Sequence, residues 1–303
     1  KNWTWNEKYP KQSKILKYLN YVEKKLNLRK NILFNHKIIS AKYLERKNLW
    51  QIKTNKKKVL FCKYLICAVG SLSAANIPKI KGLNKYKGKY YHTGKWPHEN
   101  VSFKDKRVGQ IGTGSTGIQA APVIAETAGH LHVFQRTPNY SVPARNAPLT
   151  KDFKEYVRDN YEEIRDLVQS TPNGHPFRIS TSKVFDSNED ERKKGYEDAW
   201  EKGGLQFRAT YQDLTTDKKA NDTAADFLKS KIKSVVRDKK TAEALSDIDY
   251  PYAGKRPPID TNYFETSKNM FSSTNGLSLI LIFSRGISIS IGSLELLKEK
   301  FFE

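Results

Sequence analysis

The chain has 303 residues, 38% of them hydrophobic, which is enough for roughly two domains with ordinary buried cores. Its formal net charge of +22 suggests a nucleic-acid partner, but the lysines are spread over the whole length, which disfavours a specific site and leaves weak binding to polyanions as the alternative. With no secretory signal and no apolar run near eighteen residues, we expect a cytoplasmic protein without a membrane span.

The first hundred residues predict one helix followed by short strands. Apolar residues recur at helical spacing from Ile15 to Leu26 and predict a helix that ends near Leu28. Four strands are predicted after it, at residues 32–34, 37–39, 49–52 and 59–68, the last of them buried. Cys62 and Cys67 fall on opposite faces of that last strand, which predicts two separate buried thiols.

A glycine run between two predicted strands is the central motif of the sequence. Residues 107–111 predict a strand, residues 112–117 follow the pattern GxGxxG, and a helix and a strand at residues 131–135 come next. In such a turn Gly112 permits the tight bend, Gly114 lets the backbone approach a pyrophosphate, and Gly117 allows close helix packing. Because the flanking pattern agrees with the motif, the run predicts a dinucleotide site at a helix N-terminus.

The end of the second strand indicates which dinucleotide binds. About twenty residues past the glycines, where an acidic residue would hold the ribose hydroxyls of NAD, the sequence has Arg136 and Thr137. An arginine at this position favours the 2′-phosphate of NADP. The alternative is a solvated strand end.

The remainder of the chain predicts an insertion followed by a basic pair. Residues 137–148 are rich in proline and predict an irregular segment that crosses the surface. Helical spacing at residues 153–168 and 227–235 predicts helices instead of further βαβ units. Lys255 and Arg256 then precede two prolines, with a solvated surface pair as the alternative. The tail predicts two strands, at residues 277–283 and 287–291.

Residues 86–97 resemble a long fingerprint of the type I Baeyer–Villiger monooxygenases, FxGxxxHxxxW followed by Pro or Asp. Gly88, His92, Trp96 and Pro97 match this fingerprint, and Tyr86 stands where Phe is usual. The similarity includes residues 9–20, 68–73 and 134–140, and it extends over residues 1–265. The Trp-Pro ending favours this group over the related flavin-containing monooxygenases, which oxygenate nitrogen and sulfur and use a different form of the fingerprint.

The resemblance implies a fold and a reaction. The fold would be α/β, with two Rossmann-like, doubly wound nucleotide-binding domains, an incomplete FAD domain and a helical insertion in the NADP domain. The enzyme would use NADPH and FAD to insert one oxygen atom of O₂ next to a ketone carbonyl, which gives an ester or lactone. The resemblance implies five segments. They are a partial FAD domain with the fingerprint (1–99), the NADP-binding core (100–149), the helical insertion (150–248), a return to the NADP domain (249–266) and a divergent tail (267–303).

The resemblance also assigns roles to individual residues. Arg256 would be the active-site arginine, because a fixed guanidinium stabilises negative charge that develops on a reacting oxygen. His92 and Trp96 would couple the two domains, and the absence of Asp, Glu or Cys at ligand spacing from His92 argues against a metal site. The residues that would line the NADP pyrophosphate are Thr113, Gly114, Ser115, Thr116, Gly117 and Gln119. Those that would hold the 2′-phosphate are Arg136, Thr137 and Lys255.

The sequence also departs from the family pattern. It contains one GxGxxG run, so the turn that binds the FAD pyrophosphate in this family has no counterpart, and the aspartate that partners the arginine is missing too. After Ser267 the family pattern is lost. We therefore expect an incomplete chain, and a catalytically inactive NADP-binding remnant is the alternative to an active enzyme. The sequence leaves the ketone and the oligomeric state open.

Overall fold

The computed structural model describes residues 3–70 and 72–266, together with the backbone of residues 276–281. The chain divides into two compact units, which we call the smaller unit (Pro10–Asn100) and the larger unit (Lys1–Tyr9 with Val101–Glu303). The finer domain bounds expected from the sequence remain predictions. None of the helices in the described ranges combines the length and the apolar character that a membrane span needs.

The smaller unit contains one helix and one antiparallel sheet. Helix α1 spans Gln12–Lys25, close to the predicted bounds. Strands β1 (Ile38–Leu44), β2 (Leu49–Thr54) and β3 (Val59–Cys62) pair in the order β1-β2-β3. The strands predicted near residues 37–39 and 49–52 are confirmed. The strand predicted at 32–34 is wrong, because a short 3₁₀ turn at Leu28–Asn31 leads there into an irregular segment.

The long buried strand predicted at residues 59–68 is also wrong. Strand β3 ends at Cys62, and beyond it Ile66 and Val69 are 86% and 73% exposed. Cys67 is exposed and Cys62 is half-buried, so the two thiols are not both buried as expected. An apolar strand is buried only where neighbouring elements cover both of its faces, and no strand of the described residues pairs with residues 63–70.

A parallel sheet forms the centre of the larger unit. Strand β4 (Arg107–Ile111) leads through the glycine run into helix α2 (Ser115–Ala125), and strand β5 (His130–Gln135) returns parallel to β4. This succession confirms the predicted strand, turn, helix and strand. Strand β8 (Gly276–Leu281) pairs parallel with β5, in agreement with a strand near residues 277–283. The strand predicted at 287–291 lies outside the described residues.

Five helices occupy the region where the sequence predicts helical structure. Helix α5 (Glu189–Lys202) was not expected, because its stretch is polar and contains glycine. It nevertheless begins at a capping box between Asn188 and Glu191 and buries Tyr196 and Trp200. These rings pack with Phe207 and Leu228 in the main hydrophobic core. The bounds of the five helices are α3 Lys151–Asp159, α4 Tyr161–Ser170, α5 Glu189–Lys202, α6 Lys218–Val235 and α7 Lys239–Ser246.

The proline-rich segment 137–148 lies at the surface only over residues 145–148, because residues 138, 140–142 and 144 are buried. Strand β6 (Val142–Pro143) pairs parallel with β7 (Ile259–Asp260), just before the short helix α8 (Tyr263–Thr266). The N–H groups of Val142 and Ala144 donate to the carbonyls of Pro258 and Asp260 at 3.1 and 2.7 Å. The N–H that proline lacks is not used in this pairing, so Pro143 is tolerated. The pairing brings the segment after Arg136 beside the segment after Arg256.

Candidate functional site

The turn between β4 and α2 exposes the backbone at the N-terminus of a helix. Gly112 has a φ of +103°, and its N–H donates to the carbonyl of Phe134 on β5 at 2.9 Å. Gly114 is the N-cap of α2; no side chain in the described chain caps this end, and the first turn has no acidic residue. The first N–H groups of α2 therefore face outward unpaired, where the helix dipole favours an anionic group.

The glycines of the run meet different requirements. A side chain at Gly117 would overlap the carbonyl oxygen of Gly112, so the close packing of helix on turn requires glycine there. Gly114 has an ordinary φ of −76°, and a Cβ at this residue would meet no described atom within 4 Å. Neither backbone conformation nor protein packing requires glycine at residue 114. What Gly114 provides is open space through which a ligand can approach the backbone.

Hydrogen bonds with β4 and with the segment after β5 hold the turn in place. The buried Oγ1 of Thr113 donates to the carbonyl of Thr137 at 3.2 Å. Asn139 Nδ2 donates to the carbonyl of Thr113 at 2.6 Å, and Gln110 Nε2 donates to the carbonyl of Gly117 at 3.0 Å. The turn is therefore organised before any ligand arrives, and it is tied to the segment that follows β5.

Three cations lie on the segments that β6 and β7 bring together. Arg136, which directly follows β5, is exposed, as are Lys255 and Arg256 before β7. Within residues 3–70 and 72–266 none of the three forms an ion pair. Lys255 instead lies over the ring of Tyr250, with Nζ 4.0 Å from the ring centroid.

Tyr250 connects Lys255 to the strand end. Its hydroxyl donates to Asn139 Oδ1 at 2.7 Å and also lies 3.0 Å from the carbonyl of Pro138. Pro138 is two residues beyond Arg136, so these contacts bring Lys255 to the segment that begins with Arg136 and Thr137. The contacts of Lys255 through Tyr250 therefore reach Pro138 and Asn139, two and three residues beyond Arg136, and the phosphate-binding roles of these residues remain predictions.

The other predicted pyrophosphate residues lie on the first turns of α2. Ser115 and Thr116 are exposed directly after Gly114. Gln119 Nε2 donates to the carbonyl of Ile259 at 3.0 Å, so this side chain connects α2 to β7. It thereby links the glycine turn to the strand that follows Arg256.

Sequence reasoning missed the buried carboxyl group of Asp260. This residue is 4% exposed, accepts a hydrogen bond from the Ser141 hydroxyl, and accepts the N–H of Tyr263 at 3.2 Å. Burial raises the pKa of Asp260 to about 6, an effect that these two hydrogen bonds reduce in part. Asn139 and Tyr250 were missed as well. Asn139 lies within the run 134–140 that carries the family resemblance, which is the one signal that could have marked it.

The fingerprint residues lie in an irregular part of the smaller unit. Gly88 packs under the side chain of Tyr86, where a Cβ would overlap the phenol ring. His92 Nδ1 accepts the N–H of Gly94 at 3.1 Å and caps a 3₁₀ turn at Thr93–Lys95. The ring of Trp96, which precedes Pro97, lies tilted against the ring of Tyr91 at a centroid distance of 5.6 Å. The role of His92 and Trp96 in domain coupling remains a prediction.

The parallel β4–α2–β5 unit and its open glycine turn define a Rossmann-type α/β fold. Comparison with known proteins shows which flavoproteins the chain resembles. The sequence model of the flavin-binding monooxygenase-like family matches residues 2–145. A solved structure of an oxidized steroid monooxygenase bound to NADP has a TM-score of 0.87 and 40% sequence identity, and covers 92% of this chain and 52% of that chain.

Two curated relatives refine the assignment. A Baeyer–Villiger monooxygenase of Pseudooceanicola batsensis is 41% identical over 264 residues, which cover 86% of this chain and 48% of the relative. A phenazine N-monooxygenase of Lysobacter antibioticus is 37% identical over 266 residues, which cover 87% and 49%. The chain spans about half the length of the curated relatives it matches. Residues 2–145 match the flavin-binding monooxygenase-like family, and most of the chain is similar to Baeyer–Villiger monooxygenases.

Proposed function

We propose that the larger unit binds NADP(H) at the glycine turn. The observation that carries this proposal is the open backbone at Gly114, which the protein's own packing does not explain. The unpaired N–H groups at the start of α2 would donate to the pyrophosphate. Thr113 contributes through its backbone, since its hydroxyl is engaged by Thr137.

The 2′-phosphate would be held by Arg136, Thr137 and Lys255. Neither cation has a carboxylate partner in the described part of the chain, so binding a phosphate would break no existing ion pair. A guanidinium can meet a phosphate with two parallel hydrogen bonds. An acidic residue in place of Arg136 would instead favour the ribose hydroxyls of NAD.

For the whole protein we propose an NADPH- and FAD-dependent monooxygenase that converts a ketone and O₂ to an ester or lactone. The bound cofactors would supply the electrons and the activation of oxygen. Arg256, which is exposed and without an ion-pair partner in the described ranges, would stabilise negative charge beside the substrate carbonyl. Removal of one such donor typically costs about 2.7–4 kcal/mol of barrier. Gln119 would keep the Arg256 segment in register with the glycine turn through its bond to Ile259.

The described residues contain no FAD site built like the proposed NADP site. The sequence has one GxGxxG run, and in the smaller unit no described strand leads through a glycine turn into a helix. The alternative proposal is therefore that this chain binds NADP without flavin and is catalytically inactive. The expected cytoplasmic location and the absence of a specific nucleic-acid partner belong to the same proposal and rest on the sequence alone.

Oxygenation of nitrogen is the second candidate reaction. It is favoured by the similarity to the phenazine N-monooxygenase, which is 37% identical to this chain. The fingerprint from Gly88 to Pro97 favours the ketone reaction.

Titration calorimetry of the chain with NADP⁺ and with NAD⁺ tests the cofactor proposal. We expect NADP⁺ to bind at least about 10-fold more tightly, the effect of one or more charge-assisted hydrogen bonds to the 2′-phosphate. Equal affinity for the two nucleotides would refute the NADP site. The visible absorbance of the purified chain tests for flavin, and product analysis with a ketone, an amine and a sulfide separates the two reactions.

A further inference from the structure

The ammonium group of Lys255 lies on an aromatic ring instead of against a carboxylate. Its Nζ is 4.0 Å from the centroid of the Tyr250 ring. A ring face attracts an ammonium group and restricts the rotamers of a long, otherwise mobile side chain. Lys255 is therefore held in place although its side chain is exposed.

Tyr250 is itself fixed from two sides. Its hydroxyl donates to Asn139 Oδ1 at 2.7 Å, and its ring meets the ring of Tyr140 edge-on at 5.5 Å. Burial raises the pKa of the Tyr250 phenol above its ordinary value, so the hydroxyl remains a donor. Both contacts reach the segment that follows Arg136.

Asn139 continues the connection to the glycine turn. The same amide that accepts from Tyr250 donates through Nδ2 to the carbonyl of Thr113 at 2.6 Å. A chain of direct contacts thus runs from the turn through Asn139 and Tyr250 to Lys255. Its two ends are the groups that would meet the pyrophosphate and the 2′-phosphate of one dinucleotide.

We infer that Tyr250 and Asn139 are positioning residues that hold Lys255 at a fixed distance from the glycine turn and thereby set the preference for NADP over NAD. The inference rests on the proposed function. The ring of Tyr250 orients the ammonium group, and its hydroxyl ties that orientation to the turn through Asn139. Neither residue needs to touch the nucleotide for this effect.

A double-mutant cycle on the full chain, read by calorimetric titration with NADP⁺ and NAD⁺, tests the inference. We expect Tyr250→Leu to weaken NADP⁺ binding about 3- to 30-fold, the range of a cation–ring contact. NAD⁺ affinity should change less than about 2-fold, because NAD⁺ has no group for Lys255 to bind. In the Lys255→Ala background, Tyr250→Leu should cause no further loss. Tyr250→Phe keeps the ring and should lose less than Tyr250→Leu.

Tyr64→Leu is the matched control, because Lys63 Nζ lies 5.8 Å from the Tyr64 ring in the smaller unit. Its nucleotide preference should equal that of the unmodified chain. If Tyr250→Leu does not fold, Tyr250→Met takes its place in the cycle. The inference would be overturned if the affinity losses of Tyr250→Leu and Lys255→Ala multiplied in the double variant. Equal losses of NADP⁺ and NAD⁺ affinity in Tyr250→Leu would also overturn it. An unmodified chain without NADP⁺ preference would instead refute the proposed function.

Discussion

Gly117 packs so closely on the carbonyl oxygen of Gly112 that no other residue fits there, whereas Gly114, three residues earlier, faces open space. We therefore expect Gly117 to be required for folding and Gly114 to be required for nucleotide binding. Gly114→Ala should keep the fold, with a loss of less than about 1 kcal/mol at this N-cap. Because the new methyl group would crowd the pyrophosphate, NADP⁺ affinity should fall about 5- to 150-fold, the equivalent of 1–3 kcal/mol of overpacking.

Gly117→Ala is the matched variant for this comparison. It should lower the free energy of unfolding by about 1–3 kcal/mol, because the helix must move away from the turn. Urea unfolding and calorimetric titration measure the two effects side by side. A stable Gly117→Ala chain, or a Gly114→Ala chain that binds NADP⁺ normally, would contradict the assigned roles.

Arg136 should account for much of the nucleotide preference. Its exposed guanidinium has no ion-pair partner among the described residues, so Arg136→Gln removes a phosphate donor without leaving a carboxylate unpaired. We expect NADP⁺ affinity to fall about 10- to 100-fold and NAD⁺ affinity to stay within about 2-fold. Arg158→Gln removes the same charge from the exposed surface of α3 and serves as the control. A loss shared by both nucleotides, or by both variants, would argue against a 2′-phosphate contact.

Asp260 should make the stability of the larger unit depend on pH. Its pKa of about 6 in the folded chain lies above the ordinary value of 3.8, so the folded state binds this proton more tightly. The resulting stabilisation is fully present below about pH 4 and is lost as the pH rises through 6. Asp260→Asn keeps one oxygen to accept the N–H of Tyr263, and its amide NH₂ can donate to Ser141, whose hydroxyl donates to the carbonyl of Pro258 instead. The variant should unfold at higher urea concentration above pH 7.

The expected gain for Asp260→Asn is up to about 3 kcal/mol at pH 8, the equivalent of the raised pKa. At pH 4 the variant and the unmodified chain should have similar free energies of unfolding. Asp159→Asn, on the exposed end of α3, is the control and should change neither value. The prediction would be contradicted if the stability difference between Asp260→Asn and the unmodified chain were less favourable to the variant at pH 8 than at pH 4. Burial would then not raise the pKa of Asp260.

The two cysteines should differ in reactivity. Cys67 is exposed and Cys62 is half-buried at the end of β3, so a thiol reagent should modify Cys67 first in the folded chain. The variants Cys62→Ser and Cys67→Ser, labelled under identical conditions, identify each reaction. Slow labelling of both thiols would support instead the buried strand predicted from the sequence.

The glycine turn could be predicted because each of its parts is local. Strand, bend and helix follow from residues 107–125, and the position of Arg136 follows from the length of one βα unit. The pairing of β6 with β7 could not be predicted, because two residues such as Val142 and Pro143 carry no periodicity. Its partner lies more than one hundred residues away in the sequence.

Burial was the least predictable property. The run from Tyr64 to Val69 has the composition of a core strand but is exposed, because covering elements and not composition decide burial. The contact of Lys255 with Tyr250 was likewise invisible, since a basic pair before two prolines is also typical of a solvated loop. The local pattern did not distinguish a functional role for Lys255 and Arg256 from a solvated surface pair. Only the family resemblance predicted such a role.

The most direct test of the NADP site follows the backbone amide signals of the isotopically labelled chain by NMR during addition of NADP⁺. Our account predicts that the amides of Gly114, Ser115, Thr116 and Gly117 shift first and saturate together with that of Arg136. With NAD⁺ the turn should respond only at higher concentration and Arg136 little. Saturating shifts elsewhere in the chain, with the turn unchanged, would contradict a nucleotide site at the N-terminus of α2.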